Sequence, residues 1–375
     1  MLIGIDASRA TSANPTGTET YSRELIRALL NIDHANTYRL YTREPAPTGM
    51  FPSAPSVQVR AIPFPRLWTH FRLSVEMARH PPGVLIIPAH VLPLVHPARS
   101  VVTVHDLGHL HFPEAYTPSQ RLYHRWSTSW NCRSAWHILA DSEATRDDVL
   151  KFYGISLDKT TVVYPALSTE FNPPQRDLGR AAEVRSRLKL ARDYVLSIGT
   201  IHPRKNYARL IHAFAQLLKR RQDCDLELVV VGKRGWLYKG ILDLVGRLGM
   251  KDRVHFLDYV AESDLPAVIG NARLFAFPSL HEGFGIPVLE AQACGTPVIC
   301  SMTSAFPEVA GDGALFVDPC DVDALSAGME RLVFDESLRN KLIAHGLENV
   351  KRFSWEKSAE RVLQVLEEAS GDQGP

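Results

Sequence analysis

Glu282 and Glu290 close a Glu-x7-Glu segment, and the residues between them suit an anion better than a core. Pro287 is placed as the first residue of a helix, where its missing N–H costs nothing. Gly283 and Gly285 then form the loop ahead of that helix. Without Cβ atoms their backbone can come close to a ligand, and the first-turn N–H groups point outward at negative charge. Glu290 is expected in the first helical turn and Glu282 at the preceding strand end. A carboxylate beside an anion is electrostatically wasteful, so both fit better as acceptors of hydroxyl hydrogen bonds, as on sugars. The plain alternative is a glycine loop with a glutamate favouring the helix dipole by about 0.3–1 kcal/mol.

A second cluster, Gly199-Thr200-Ile201-His202-Pro203-Arg204-Lys205-Asn206, follows another expected strand. Arg204 and Lys205 can supply the counter-charge of a diphosphate, each charge-assisted bond contributing about 1.5–3 kcal/mol. An exposed basic turn is the rival reading, and the pairing of two such strand ends favours the anion. His105-Asp106 closes an apolar strand and is expected at the mouth of a ligand site. A metal held by His105, His109 and His111 lacks a supporting Cys or carboxylate cluster at ligand spacing. A locally bonded structural histidine is the other reading of His105. Gly17, in Asn14-Pro15-Thr16-Gly17-Thr18, lets the backbone approach a ligand before the first helix, with Thr18 as its cap. Asp223-x-Asp225 and Asp321-x-Asp323 have a metal-binding spacing, but fit solvated helix–strand junctions better, Asp321 as an N-cap.

These residues need a scaffold that brings strand ends together. Short runs of Val, Ile and Leu predict strands at 2–5, 38–41, 57–62, 84–87, 101–104, 137–140 and 161–163. A second series falls at 194–198, 226–231, 254–256, 274–277, 298–300 and 314–317. Helical patterns lie between them, at 18–31, 118–132, 142–153, 181–189, 207–221, 237–248, 262–271, 287–294, 322–334 and 337–349, with a last helix at 355–369. Alternation in two series predicts two doubly wound α/β domains facing each other across a cleft, with ligands beyond the carboxyl ends of the strands. The proline-rich 165–175 reads as the linker. The expected division is 1–175, binding the acceptor, then 176–354, binding a nucleotide, and a helix and polar tail over 355–375 that packs back on the first domain.

At 375 residues, two domains are expected. Forty-two Lys and Arg against 41 Asp and Glu argue against nucleic acid as a partner. No stretch is long and apolar enough for a membrane span, and the first residues lack the pattern of a signal peptide. Five sparse cysteines read as reduced core residues, placing the protein in the cytoplasm. Leu122, Trp126 and Trp130 share one helical face with arginines nearby. That face is expected in the core, as apolar helix faces usually are. Peripheral contact with a membrane or a lipid-linked acceptor is its second reading.

Taken together, these motifs resemble the retaining family-4 glycosyltransferases of GT-B architecture, and their mannosyltransferase-like subgroup in particular. The likeness runs from the first glycine loop through His105-Asp106 and Pro203-Arg204-Lys205-Asn206 to Glu282–Glu290. It ends on Ala293-Cys294-Gly295-Thr296-Pro297-Val298-Ile299. It implies a nucleotide-sugar donor, GDP-mannose or a UDP-hexose, a saccharide or lipid-linked saccharide acceptor, and no required metal or cofactor. Arg204 and Lys205 would bind the diphosphate, while Gly283, Phe284 and Gly285 would present amides. Glu290 would take the ribose hydroxyls and Glu282 those of the sugar. His105 would sit by the anomeric carbon, and Tyr259 and Val260 near the base. Three positions depart from the family pattern: Thr200 replaces an arginine, Thr16-Gly17 a double glycine, and Tyr164-Pro165-Ala166-Leu167 a common Asn-Gly-Val-Asp. Outside this reading stand a nucleotide-sugar-binding regulator without turnover and a sugar-nucleotide epimerase.

Overall fold

Runs of β-branched and aliphatic residues, too short for helices and apolar on both faces, become the strands of two all-parallel sheets. The computed structural model describes residues 1–12, 17–89, 91–171, 178–190 and 192–371. The first sheet comprises β1 (Leu2–Asp6), β2 (Thr37–Thr42), β3 (Val57–Ala61), β4 (Val84–Ile87), β5 (Ser100–Val104), β6 (His137–Ala140) and β7 (Thr160–Val162). Its order is β3-β2-β1-β4-β5-β6-β7. The second comprises β8 (Asp193–Ile198), β9 (Leu226–Val231), β10 (Val254–Leu257), β11 (Leu274–Phe277), β12 (Val298–Ser301) and β13 (Ala314–Val317). Its order is β10-β9-β8-β11-β12-β13. In both, the chain winds outward one way from the first strand and then restarts beside it. The strand order therefore reverses between β1 and β4, and between β8 and β11. Such switch points are where open α/β sheets bind ligands.

Each sheet is a Rossmann-like unit. One unit holds Met1–Leu110, Pro118–Ala166 and Phe353–Pro375, and the other His111–Thr117 and Leu167–Arg352. These boundaries differ from the expected 1–175, 176–354 and 355–375. The short segment from His111 joins the second unit because Trp236 Nε1 donates to Ala115 O and its ring lies 5.7 Å from Tyr116. Residues 172–175 of the expected linker and 372–375 of the tail lie outside the described residues. The last helix, Trp355–Ser370, is capped by Ser354 and belongs to the first unit, where Ser358 Oγ donates to Tyr164 O and the helix packs along Gly17–Ile32. In the second unit, Leu210, Phe214, Leu325 and Met329 cover one sheet face, and Phe306, Val288 and Val268 the other.

Several local expectations are corrected. The helix expected from 237 begins at Lys239, because Leu237 has a left-handed backbone, φ 58°. Thr18 lies inside its helix rather than capping it. Unforeseen helical turns cover Thr69–Leu73, Ser74–Arg79 and Phe306–Ala310, all too short to show a period in sequence. Cys320 is exposed rather than in the core. The expected burial of the Leu122, Trp126 and Trp130 face holds only in part: Trp130 packs on the core with Nε1 donating to Leu92 O, whereas Leu122 is 73% and Trp126 43% exposed. Helix Pro118–Ser134 instead turns Ser127, Asn131 and Cys132 inward, and Asn131 Oδ1 accepts from Leu92 N at 2.9 Å. Among the described residues, no helix is long and apolar enough to cross a membrane.

Candidate active site

The β8–β11 switch point gathers the charged residues of the second unit. After β8 the chain runs on beside β9, with Gly199 N donating to Val231 O and Ile201 N to Lys233 O, before the turn Pro203–Lys205. Asn206 ends this turn in the left-handed region, φ 61°, and its amide donates to Pro278 O and Pro319 O. One buried side chain thereby ties the β8 loop to the loops after β11 and β13. Leu280 N in turn donates to Arg204 O at 2.9 Å.

Lys205 Nζ lies 2.7 Å from Glu282 Oε1 and 4.6 Å from the centre of the Phe277 ring. Its side chain is only 12% exposed, so it is held in place rather than waving in solvent. Arg204 donates to His281 O at 3.1 Å. Gly199 makes room for this arrangement. Its φ is 148°, and a Cβ there would stand 2.9 Å from Lys205 Cε. Glu282 is fixed from behind by Ser304, whose Oγ accepts from Glu282 N at 3.1 Å.

Gly285, φ 102°, caps helix Ile286–Ala293. A Cβ on it would meet the Phe306 ring at 3.0 Å. Gly283 and Phe284 are buried beside it. Two expectations shift here. Pro287 is the second helical residue, not the first, and Glu290 lies beyond the first turn. Burial, with help from the charge of Glu262, pushes the Glu290 carboxyl up to about 8, so near neutrality it is a protonated group able to donate as well as accept. Tyr259, after β10, is exposed, whereas the Val260 side chain is buried against the core and leaves only its backbone to face a ligand.

In the first unit, His105 follows β5 and Asp141 follows the neighbouring β6. His105 Nδ1 is 2.7 Å from Asp141 Oδ2, and the His105 Nε2 is buried. Burial alone would lower the pKa of this imidazole, but the Asp141 charge and hydrogen bond outweigh it and raise it, which favours imidazolium. Tyr21 packs edge-on to the ring at 4.9 Å, and Trp355 packs against Tyr21 at 5.6 Å. Gly17 is the exposed first residue of its helix, with nothing within 4 Å of a Cβ placed there; Asn14, Pro15 and Thr16 lie outside the described residues.

Arg204, Lys205, Glu282 and the Gly283–Gly285 loop are thus brought to one switch point. Gly17 and His105 belong to the other unit. Sequence reasoning missed Asp141, although it stands directly after a strand; Ser142 beside it is the cap of the next helix. That cap is real: Ser142 Oγ accepts from Thr145 N. Ser304, marked only by its backbone φ of 51°, left no sequence signal. Three of the four Asp-x-Asp carboxylates are otherwise engaged. Asp223 bonds Arg221, Asp225 bonds Arg192 and Arg253, and Asp321 caps helix Val322–Phe334.

The profile of the Glycosyl transferases group 1 matches residues 181–349, and that of Glycosyltransferase Family 4 matches residues 15–171. The O-antigen chain mannosyltransferase B of Escherichia coli is 37% identical over 269 residues, 71% of this chain and 70% of that protein. The chain belongs to this glycosyltransferase family. It is an enzyme of the hexosyltransferase class with two Rossmann-like domains of GT-B type. A serotype-specific mannosyltransferase, WbdA of Escherichia coli, is 31% identical over 63% of this chain, which spans only 30% of that longer protein. Among solved structures, a sucrose-phosphate synthase from Thermosynechococcus elongatus superposes with a TM-score of 0.76 at 21% identity, covering 98% of both chains, and supports the fold alone.

Proposed function

We propose that this glycosyltransferase moves mannose from GDP-mannose to a hydroxyl of a saccharide acceptor, free or lipid-linked, with retention at the anomeric carbon. The carrying observation is the Lys205–Glu282 pair, closed by Arg204, at the β8–β11 switch point. Cations there meet the negative charge that grows on the leaving diphosphate, which is electrostatic catalysis without a protein nucleophile. The bond from the anomeric carbon to the diphosphate oxygen breaks, one to the acceptor oxygen forms, and the acceptor proton ends on the released phosphate or in water. Glu282 accepts from sugar hydroxyls, Glu290 bonds the ribose, and Gly283–Gly285 give backbone contacts. His105, protonated and oriented by Asp141, donates from Nε2 to the reacting sugar. The charge already present at Arg204 and Lys205 makes a divalent metal unnecessary. Mannose is favoured over a UDP-hexose because the relatives named above are mannosyltransferases. The cytoplasmic placement read from the sparse cysteines belongs to the same proposal.

The test incubates the protein with GDP-mannose or UDP-glucose and a mannoside acceptor, with and without chelator. Mannosylated product from GDP-mannose, at a rate that chelator leaves unchanged, is expected. Donor binding without product or free mannose would favour a regulator instead.

A further inference from the structure

The outward face of helix Pro118–Ser134 leaves a basic, aromatic surface that the proposed chemistry does not use. A groove of about 760 Å³ runs between this helix and Glu143–Tyr153, walled by Leu110, Leu122, Trp126, Trp130, Phe152 and Tyr153. Arg125 and Arg133 line it as well. The apolar surface continues past the groove. The His70 ring packs 5.4 Å from Trp126, and in the turn that carries it Leu67 is 57% and Phe71 52% exposed.

The charges of helix Pro118–Ser134 and of the adjoining turn are mostly of one sign, whereas helix Glu143–Tyr153 carries both, with Glu143 and Asp147 paired to Arg146. Helix Pro118–Ser134 carries Arg121, Arg125 and Arg133 and no carboxylate. The adjoining stretch from Arg66 to Arg79 adds Arg66, Arg72 and Arg79, and its one acid, Glu76, is buried and paired with Arg60. A water-facing helix would carry acids among its bases, and a core-facing helix would not place arginines beside its tryptophans. Aromatic rings with flanking guanidinium groups match the boundary between headgroups and acyl chains of an anionic bilayer.

We infer that this face of the first unit docks on an anionic lipid surface, with Trp126, Leu122 and Phe71 entering the headgroup–acyl boundary and Arg125 and Arg133 meeting lipid phosphates. Docking does not depend on the sugar chemistry. It would hold the enzyme where lipid-linked acceptors are presented.

The test sediments the full-length protein with vesicles of phosphatidylcholine alone or of phosphatidylcholine mixed with phosphatidylglycerol. The wild-type protein should pellet with the mixed vesicles only, and raised salt should release it. Arg125→Ala and Arg133→Ala should each weaken binding about fivefold. The double variant Leu122→Ser/Trp126→Ser should weaken it at least about tenfold. That variant should keep wild-type melting and wild-type transfer to a soluble acceptor, so failure of docking and failure of the transferase reading are told apart. Wild-type protein left in the supernatant, equal binding to neutral vesicles, or variants that pellet like wild type would each overturn the inference. So would a concentration-dependent dimer that the double variant loses, since a second copy would then cover the face.

Discussion

Two ion pairs stand at the carboxyl ends of neighbouring strands, one in each unit, and they are built differently. Lys205 and Glu282 face each other across β8 and β11, where the connections of the sheet part to opposite sides and leave a natural opening. His105 and Asp141 stand after β5 and β6, where the strand order does not reverse and Tyr21 fills the space beside the ring. In the first case the partners are two groups that a ligand can engage separately. In the second, on the proposed function, Asp141 aims His105. On the proposed function, the pair at the switch point binds the donor, whereas the pair between strands wound in a single direction orients one side chain.

The largest effect should come from splitting the first pair. Glu282→Ala should lower turnover more than about tenfold, through loss of its bonds to sugar hydroxyls, while GDP affinity holds or rises because Lys205 is released to the diphosphate. Steady-state rates with GDP calorimetry check this; a loss of GDP affinity equal to the loss of turnover would mean that Glu282 only holds Lys205.

Breaking the second pair should cost less. Asp141→Asn should reduce kcat about tenfold with little change in the donor KM, as the imidazole loses its orientation. Because Asp141 raises the pKa of His105, its removal should also move the alkaline fall of activity to lower pH. A pH–rate profile that keeps its wild-type position would make Asp141 structural only.

The smallest effect concerns Glu290, which pairs with no cation among the described residues. Its carboxyl titrates at about 8 in the folded chain against an ordinary 4.5. The stability it contributes is therefore complete below pH 4.5 and is lost as pH rises through about 8. Glu290→Gln should flatten that decline in a series of thermal melts. An unchanged pH dependence would assign it elsewhere.

Much of this was legible in the chain. Val84–Ile87 and Leu274–Phe277 are continuous apolar runs, and Leu226–Val231 is broken only by Glu227, with limits that follow from flanking Pro, Gly and Asp residues. The candidate site was legible because glycines and cations follow two strands that lie side by side in one sheet. What escaped was decided by contacts distant in sequence. Val260 reads like a loop residue until the core claims it. Helix Pro118–Ser134 looks as though it should bury both tryptophans, but only Trp130, which bonds Leu92 beside Asn131, reaches the core, and Trp126 is left outside. The Asp141 partnership depends on β5 and β6 lying side by side, which no local pattern announces.

The most direct measurement is calorimetric titration of GDP into the wild-type protein and into the variant Arg204→Ala/Lys205→Ala, with thermal melts confirming that both are folded. Loss of two charge-assisted contacts should weaken GDP binding by at least about 100-fold. Equal affinity in the two proteins would place the diphosphate elsewhere and contradict the assignment of the β8–β11 switch point as the donor site.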